Sequence, residues 1–182
     1  MVTKDAQEET YTLDIVSHSS AQTQRLGMHL GDLLHGGELI LLDGKLGMGK
    51  TTFTQGLAQG LDIHEVINSP TFTLLKEYTG QSRTMQGTTS ECRPALYHFD
   101  LYRLDDPEEI FDLGFEDYFY GTGVCVVEWA DKAEEFWPSK RLRIQMKMMS
   151  DTKRGLLFLA TGTQYCKLLK QFQKQAYATA ST

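Results

Sequence analysis

The sequence predicts one α/β domain with a largely parallel central sheet flanked by helices. Three observations lead there. Apolar, strand-like runs alternate along the chain with segments of helical period. A glycine-rich stretch, Gly44-Lys45-Leu46-Gly47-Met48-Gly49-Lys50-Thr51, fits the pattern G-x-x-x-x-G-K-[ST]. That stretch lies between the buried-strand run Glu38-Leu39-Ile40-Leu41-Leu42 and a segment from Thr52 to Leu61 with Phe53, Leu57 and Leu61 at helical spacing. Strand, glycine-rich loop, helix is the setting a phosphate-binding P-loop requires, so the predicted class is a single-domain P-loop nucleotide triphosphatase.

Tyr11 to Val16 alternates apolar and polar residues and reads as an opening strand. Ser19 and Ser20 are N-cap candidates for a helix through about Leu34, with Leu26, Leu30, Leu33 and Leu34 facing inward. Beyond the P-loop helix, Thr71 to Tyr78 reads as a strand. Gly80 to Pro94, rich in Gly, Ser, Thr and Gln, is expected to be a mobile loop, and Ala95 to Tyr102 returns to strand character. Asp106-Pro107-Glu108-Glu109 has the form of a helix start, with Asp106 as cap, Pro107 in the first helical position and Glu109 completing a capping box. Val124 to Val127 is a continuous apolar run, as in a strand covered on both faces. Arg141 to Met149 and Arg154 to Thr161 read as strands joined by a turn at Ser150 to Lys153. Thr163 to about Ala176 closes the chain as an amphipathic helix carrying Tyr165, Leu168, Leu169, Phe172 and Ala176 on one face. Residues 1–182 form one domain without repeats or linker, and residues 1–10 are expected to be flexible.

Composition narrows the function classes. A hydrophobic content of 41% and a charged content of 23% are those of an ordinary globular protein. No apolar run approaches the ~20 residues of a membrane span, and the polar, acidic start does not resemble a signal peptide. Cys92, Cys125 and Cys166 form no CxxC pair, which argues against a zinc site or disulfide framework and suits a reduced, cytoplasmic setting. The net charge of −6 comes with no basic stripe, so a role on nucleic acid would run through a partner. Histidines 18, 29, 35, 64 and 98 show no ligand spacing and are expected at the surface or at edges.

The chemistry begins with the loop. Its glycines let backbone N–H groups converge on an anion, and the following helix adds its positive end. Lys50 reaches the β- and γ-phosphates and the Thr51 hydroxyl ligates Mg²⁺. Hydrolysis also needs a carboxylate near the metal, at the C-terminal end of a buried strand. Glu128, ending Val124-Cys125-Val126-Val127-Glu128, is the stronger candidate, and Asp100, ending Leu96-Tyr97-His98-Phe99-Asp100, is the second. Asn68-Ser69-Pro70-Thr71 lies where a switch-like segment could sense the γ-phosphate through Thr71; a plain turn is the alternative. Trp129 adjoins Glu128 and either packs or sits near the nucleotide. The acidic residues from Asp105 to Asp117 lack calcium-loop spacing and read as a solvated face. A guanine-reading Asn-Lys-x-Asp motif is absent, because Asn68 is the only asparagine and Ser69 follows it. ATP is therefore the expected nucleotide. Two alternatives remain open: a small nucleoside or metabolite kinase, thinly supported by Arg83 and Arg93 as lid arginines, and a nucleotide-gated binding module with negligible turnover.

Four blocks occur in order: Leu46-Gly47-Met48-Gly49-Lys50-Thr51-Thr52-Phe53, Ser69-Pro70-Thr71-Phe72-Thr73-Leu74, His98-Phe99-Asp100-Leu101-Tyr102-Arg103-Leu104 and Val127-Glu128-Trp129. Together they resemble the TsaE family, the ATPase component of bacterial tRNA threonylcarbamoyladenosine synthesis. Asp106-Pro107-Glu108-Glu109 and Gly114 match as well, and the likeness spans about Ser19 to Thr161. The resemblance implies that Thr51 and Glu128 hold Mg²⁺ and that Gly44 and Gly47, Met48, Gly49, Lys50, Thr51 and Thr52 surround the phosphates of ATP. It implies a nucleotide-site role for Asp100, needed for hydrolysis beside Lys50 and Glu128, and a switch role for Thr71. Trp129 would lie close to the nucleotide, Arg154 near the base, and Ser20–Ala21 on the same side. It further implies slow turnover alone, with TsaD-like and TsaB-like proteins as partners and tRNA reached only through them. Three departures stand out: Lys45 where the family usually has Asp, Ala130 in place of the usual Pro, and a longer 80–94 loop.

Overall fold

A computed structural model describes residues 8–80, 82–83, 91–112 and 114–178. In chain order it contains β1 (Thr10–Ser17), α1 (Ser20–Gly31), β2 (Leu39–Asp43), α2 (Lys50–Gly60) and β3 (Leu75–Tyr78). The short β4 (Ser82–Arg83) and β5 (Glu91–Cys92) come next, then β6 (Leu96–Asp100), α3 (Glu109–Asp112), α4 (Phe115–Phe119) and β7 (Val124–Glu128). A 3₁₀ segment (Ala130–Phe136), β8 (Arg141–Met148), β9 (Arg154–Thr161) and α5 (Thr163–Ala178) complete the chain.

Seven strands form one sheet in the order β1-β9-β8-β2-β7-β6-β3. The four central strands, β8-β2-β7-β6, are parallel, as expected from strands separated by helices. Both margins are antiparallel: β9 pairs with β8 and β1, and β3 turns back along β6. The short connection between β8 and β9 permits only an antiparallel return. β2 and β7 lie inside the sheet, so Leu39 to Leu42 and Val124 to Val127 are buried on both faces. Alternation then divides the core. Ile40, Leu42 and Val126 pack beneath α1, α2 and α5 with Phe53, Leu57, Phe158 and Phe172. Leu39, Leu41 and Val127 point to the other face, against Phe99, Phe115, Phe119 and Trp137.

Helices α1 and α2 approach each other through paired glycines. A Cβ on Gly56 would lie 1.9 Å from the Gln24 carbonyl oxygen, and one on Gly27 would lie 2.2 Å from that of Phe53. Only hydrogen fits at this contact, which brings the start of α1 beside the first turn of α2. Ser19 caps α1, its hydroxyl accepting the Gln22 N–H at 3.1 Å.

Several boundaries differ from expectation. α1 ends at Gly31 instead of about Leu34. The strand expected over Thr71 to Tyr78 begins only at Leu75, because 70–74 fold into a turn in which the N–H groups of Thr73 and Leu74 both donate to the Pro70 carbonyl. Asp106 does cap, accepting the Glu108 N–H at 3.0 Å, but the helix that follows spans only Glu109–Asp112. In the stretch from Gly80 to Pro94, β4 and β5 pair antiparallel, while residues 81 and 84–90 lie outside the described residues, as do the expected flexible residues 1–7. No helix among the described residues is long and apolar enough to cross a membrane.

Candidate functional site

The site grows from the C-terminal ends of three adjacent parallel strands. The register sets Leu42 beside Glu128 and Glu128 beside Asp100, so one edge of the sheet carries both carboxylates directly below the loop that leaves β2. Within that loop Gly44, Gly47 and Gly49 have φ of +146°, +78° and +98°, left-handed values that side chains with a Cβ rarely adopt. A Cβ on Gly44 would also meet the Met146 carbonyl oxygen at 2.7 Å. Lys50 then opens α2 and Thr51 follows in its first turn.

The Thr51 hydroxyl lies 3.0 Å from Glu128 Oε1 and 3.3 Å from Oε2, donating to the carboxylate. Its lone pairs remain available, and a hydroxyl beside a buried carboxylate is the hard oxygen set that suits Mg²⁺. Both predicted metal residues are therefore adjacent and fit the ion. Among the described residues no group of three or more His, Cys, Asp or Glu converges elsewhere as a metal cluster.

Asp100 anchors the predicted switch segment. Its Oδ2 accepts the Thr71 hydroxyl at 2.6 Å and the Ser69 hydroxyl, while its Oδ1 accepts the Tyr102 N–H at 2.9 Å. Leu74, at φ +62°, gives its carbonyl to the Asp100 N–H at 3.0 Å, so the 70–74 turn is tied to the strand end by backbone as well.

Lys50 Nζ donates to the carbonyl oxygens of Gly44 at 2.6 Å and Lys45 at 3.3 Å, and stands 3.9 Å from the centre of the Trp129 ring. Trp129 itself is held at φ +60°, an uncommon backbone state for a bulky residue, and its ring meets Tyr102 at 5.1 Å. Burial pushes the Lys50 ammonium below its ordinary pKa of 10.5, and the carboxylates of Glu128 and Asp100 oppose that shift. Beneath the loop, burial raises Asp43 above its usual 3.8, partly offset by Arg143, whose Nε lies 3.2 Å from Asp43 Oδ2. Arg143 and Arg141 both bind Glu134, linking β8 to the 3₁₀ segment.

Two cavities flank the loop. One, of about 360 Å³, is lined by Lys50, Thr51, Ser69, Thr71, Asp100, Tyr102, Glu128 and Trp129. The other, of about 300 Å³, is lined by Ser19, Ser20, Thr23, Asp151, Thr152 and Arg154. Gly47, Met48, Gly49 and Thr52 form the wall common to both. Among the predicted residues, Gly44 lies beneath the loop and lines neither cavity. Ala21 is exposed and also lines neither; its neighbours Ser19, Ser20 and Thr23 do. Arg154 is positioned by its Nη1, which donates to the carbonyls of Ser150 at 2.9 Å and Lys153 at 3.0 Å. Arg93, a candidate lid arginine, instead donates to the carbonyls of Gly31 and Gly60, tying the ends of α1 and α2 together. The unusual Lys45 side chain is exposed and only its carbonyl is used, while Ala130 is buried and accepts the Trp137 indole N–H at 2.7 Å.

Sequence reasoning overlooked Ser69 and Tyr102. Ser69 had a signal, being a second hydroxyl two residues from Thr71; Tyr102 reaches the cavity only because the chain turns after Asp100. His98 was expected at the surface or an edge and is instead fully buried, because β6 runs inside the sheet and its alternation turns His98 toward Glu128.

Known proteins resemble this chain over most of its length. The model of the family described as Threonylcarbamoyl adenosine biosynthesis protein TsaE matches residues 17–156. A tRNA threonylcarbamoyladenosine biosynthesis protein TsaE of Bacillus subtilis is 44% identical over 138 residues, 76% of this chain and 79% of its own. One of Treponema pallidum is 42% identical over 141 residues, 78% of this chain and 96% of its own. The crystal structure of Bacillus subtilis YdiB superposes with a TM-score of 0.75 at 33% identity, covering 92% of this chain and 97% of that one.

Proposed function

The chain belongs to the TsaE family of threonylcarbamoyl adenosine biosynthesis proteins, and from that premise we propose that it is a Mg²⁺-dependent, ATP-hydrolysing subunit. In this reading it acts in the cytoplasm and supports a TsaD–TsaB complex in forming threonylcarbamoyladenosine on tRNA, touching the tRNA only through those partners. The convergence of Lys50, Thr51, Asp100 and Glu128 on one cavity beside the glycine loop carries the proposal.

The loop amides and Lys50 bind the phosphates, Lys50 exchanging its carbonyl partners for phosphate oxygens. Thr51 and Glu128 would hold Mg²⁺, which would supply positive charge to offset that of the β- and γ-phosphates. Asp100, at the strand end beside Glu128, orients the water that attacks the γ-phosphorus as the bond to the ADP oxygen breaks. Loss of its Ser69 and Thr71 hydrogen bonds would free it for that task and move the 69–74 segment, coupling nucleotide state to a partner. The pocket with Arg154 takes the nucleoside.

The decisive measurement is ATP turnover with and without TsaD and TsaB. We expect slow hydrolysis alone and a severalfold rise with the pair. No stimulation would refute the supporting role, and phosphorylation of a nucleoside or sugar in an acceptor screen would replace it with a kinase. In cells, Lys50→Ala as the sole copy should deplete threonylcarbamoyladenosine in tRNA measured by mass spectrometry.

A further inference from the structure

Glu128 has a second neighbour besides Thr51. His98 stands in the middle of β6, two residues before Asp100, and is fully excluded from solvent. The parallel register sets it beside Val126, and its ring Nε2 reaches Glu128 Oε1 at 3.0 Å. A carboxylate only accepts, so Nε2 is the donor. The other ring nitrogen, Nδ1, is buried and meets no hydrogen-bond partner among the described residues. The chain thus accepts an unpaired polar atom at a position where an aliphatic side chain would pack without that penalty. Among the described residues, the one polar contact that the imidazole gains in exchange is Glu128.

The bonds on Glu128 are uneven. Among the described residues, Oε1 receives both the His98 ring and the shorter Thr51 contact, whereas Oε2 receives only the longer Thr51 contact at 3.3 Å. We infer that His98 is a positioning residue for the cation site: by holding Oε1 from inside the sheet it fixes the carboxylate plane, so that Oε2 and the Thr51 oxygen face the bound ion together. Groups that orient a ligand from behind typically change metal affinity about 10–100-fold when removed. The inference rests on the reading of Thr51 and Glu128 as Mg²⁺ residues.

The test is Mn²⁺ binding, followed by electron paramagnetic resonance in the presence of ADP, together with ADP affinity measured in EDTA. Wild type should bind Mn²⁺ when nucleotide is present. His98→Leu, which fills the space without a donor, should weaken Mn²⁺ binding about tenfold or more and leave ADP affinity in EDTA within about twofold. His98→Gln, whose amide nitrogen can take the place of Nε2, should restore most of the affinity. Equal Mn²⁺ affinity in wild type and His98→Leu overturns the inference, as does a parallel loss of metal-free ADP binding, which marks a purely structural role. Should His98→Leu not fold, His98→Gln against the shorter His98→Asn gives the same comparison, and equal affinities overturn it. Failure of wild type itself to bind Mn²⁺ with ADP overturns the Mg²⁺ assignment instead, so the two failures are distinguishable.

Discussion

The two cavities on either side of the P-loop are built in opposite ways. The cavity beside Lys50, the phosphate side of the proposed reading, is walled by buried strand ends, where Glu128 and Asp100 are almost fully enclosed and every carboxylate oxygen already has a donor. The other cavity, the nucleoside side of the same reading, is assembled from the start of α1 and the β8–β9 turn, where Ser19, Ser20, Asp151 and Thr152 are exposed. Buried charges must be hydrogen-bonded, so substitutions at these strand ends are costly. Exposed hydroxyls and a half-buried arginine lose less when altered, so substitutions there are expected to cost less. One shared loop thus borders two cavities of different burial.

Substitutions can break that comparison, beginning on the phosphate side. Lys50→Ala should lower ATP turnover by about 10²–10³-fold, the scale of removing one charge-stabilising group from a reacting site, as measured by phosphate release. A loss below tenfold would argue that the loop amides suffice. The next largest effect joins the two sides. Gly56→Ala forces a methyl into the Gln24 carbonyl between α1 and α2, and overpacking of this kind costs about 1–3 kcal/mol or more. Thermal melting should register it, with weaker nucleotide binding because the cavity walls are pushed apart. Arg154→Ala should weaken ATP affinity about fivefold, on the order of 1 kcal/mol, while turnover at saturating ATP stays nearly unchanged. Equal losses in both constants would make the nucleoside side part of the chemistry after all.

The smallest effect is electrostatic. Burial raises Asp43 above 3.8 despite Arg143, so the folded state favours its neutral form. The stability it contributes is full below pH 3.8 and is lost as pH rises through the raised folded value. Asp43→Asn should therefore match wild type in acid and become relatively more stable as pH rises across that window, levelling above it. A constant difference in melting temperature at all pH values would instead show that Asp43 titrates alike in the folded and unfolded chain.

How much was readable in advance follows the same division. The residues that meet around the first cavity were legible because their physics is local or strand-bound: glycines that accept left-handed φ, a lysine and threonine opening a helix, and carboxylates ending apolar runs. The second cavity was anticipated only through family resemblance: of the expected Ser20–Ala21 segment, Ser20 lines it together with Ser19 and Thr23, and Ala21 does not. The turn over 70–74 hid inside a strand-like pattern, because Thr71 and Phe72 have strand propensity while the Pro70 carbonyl and Asp100 organise them otherwise.

By itself, then, the amino-acid sequence determined the alternating α/β order, the glycine-rich loop and the candidate residues around it, since each depends on neighbours a few residues away. Only the tertiary structure decided which strand ends stand side by side, that α1 meets α2 through glycine, and that His98 turns inward to Glu128 instead of outward to solvent. Those are consequences of strand order and register, and residues 30 positions apart in the chain meet only once the sheet has assembled.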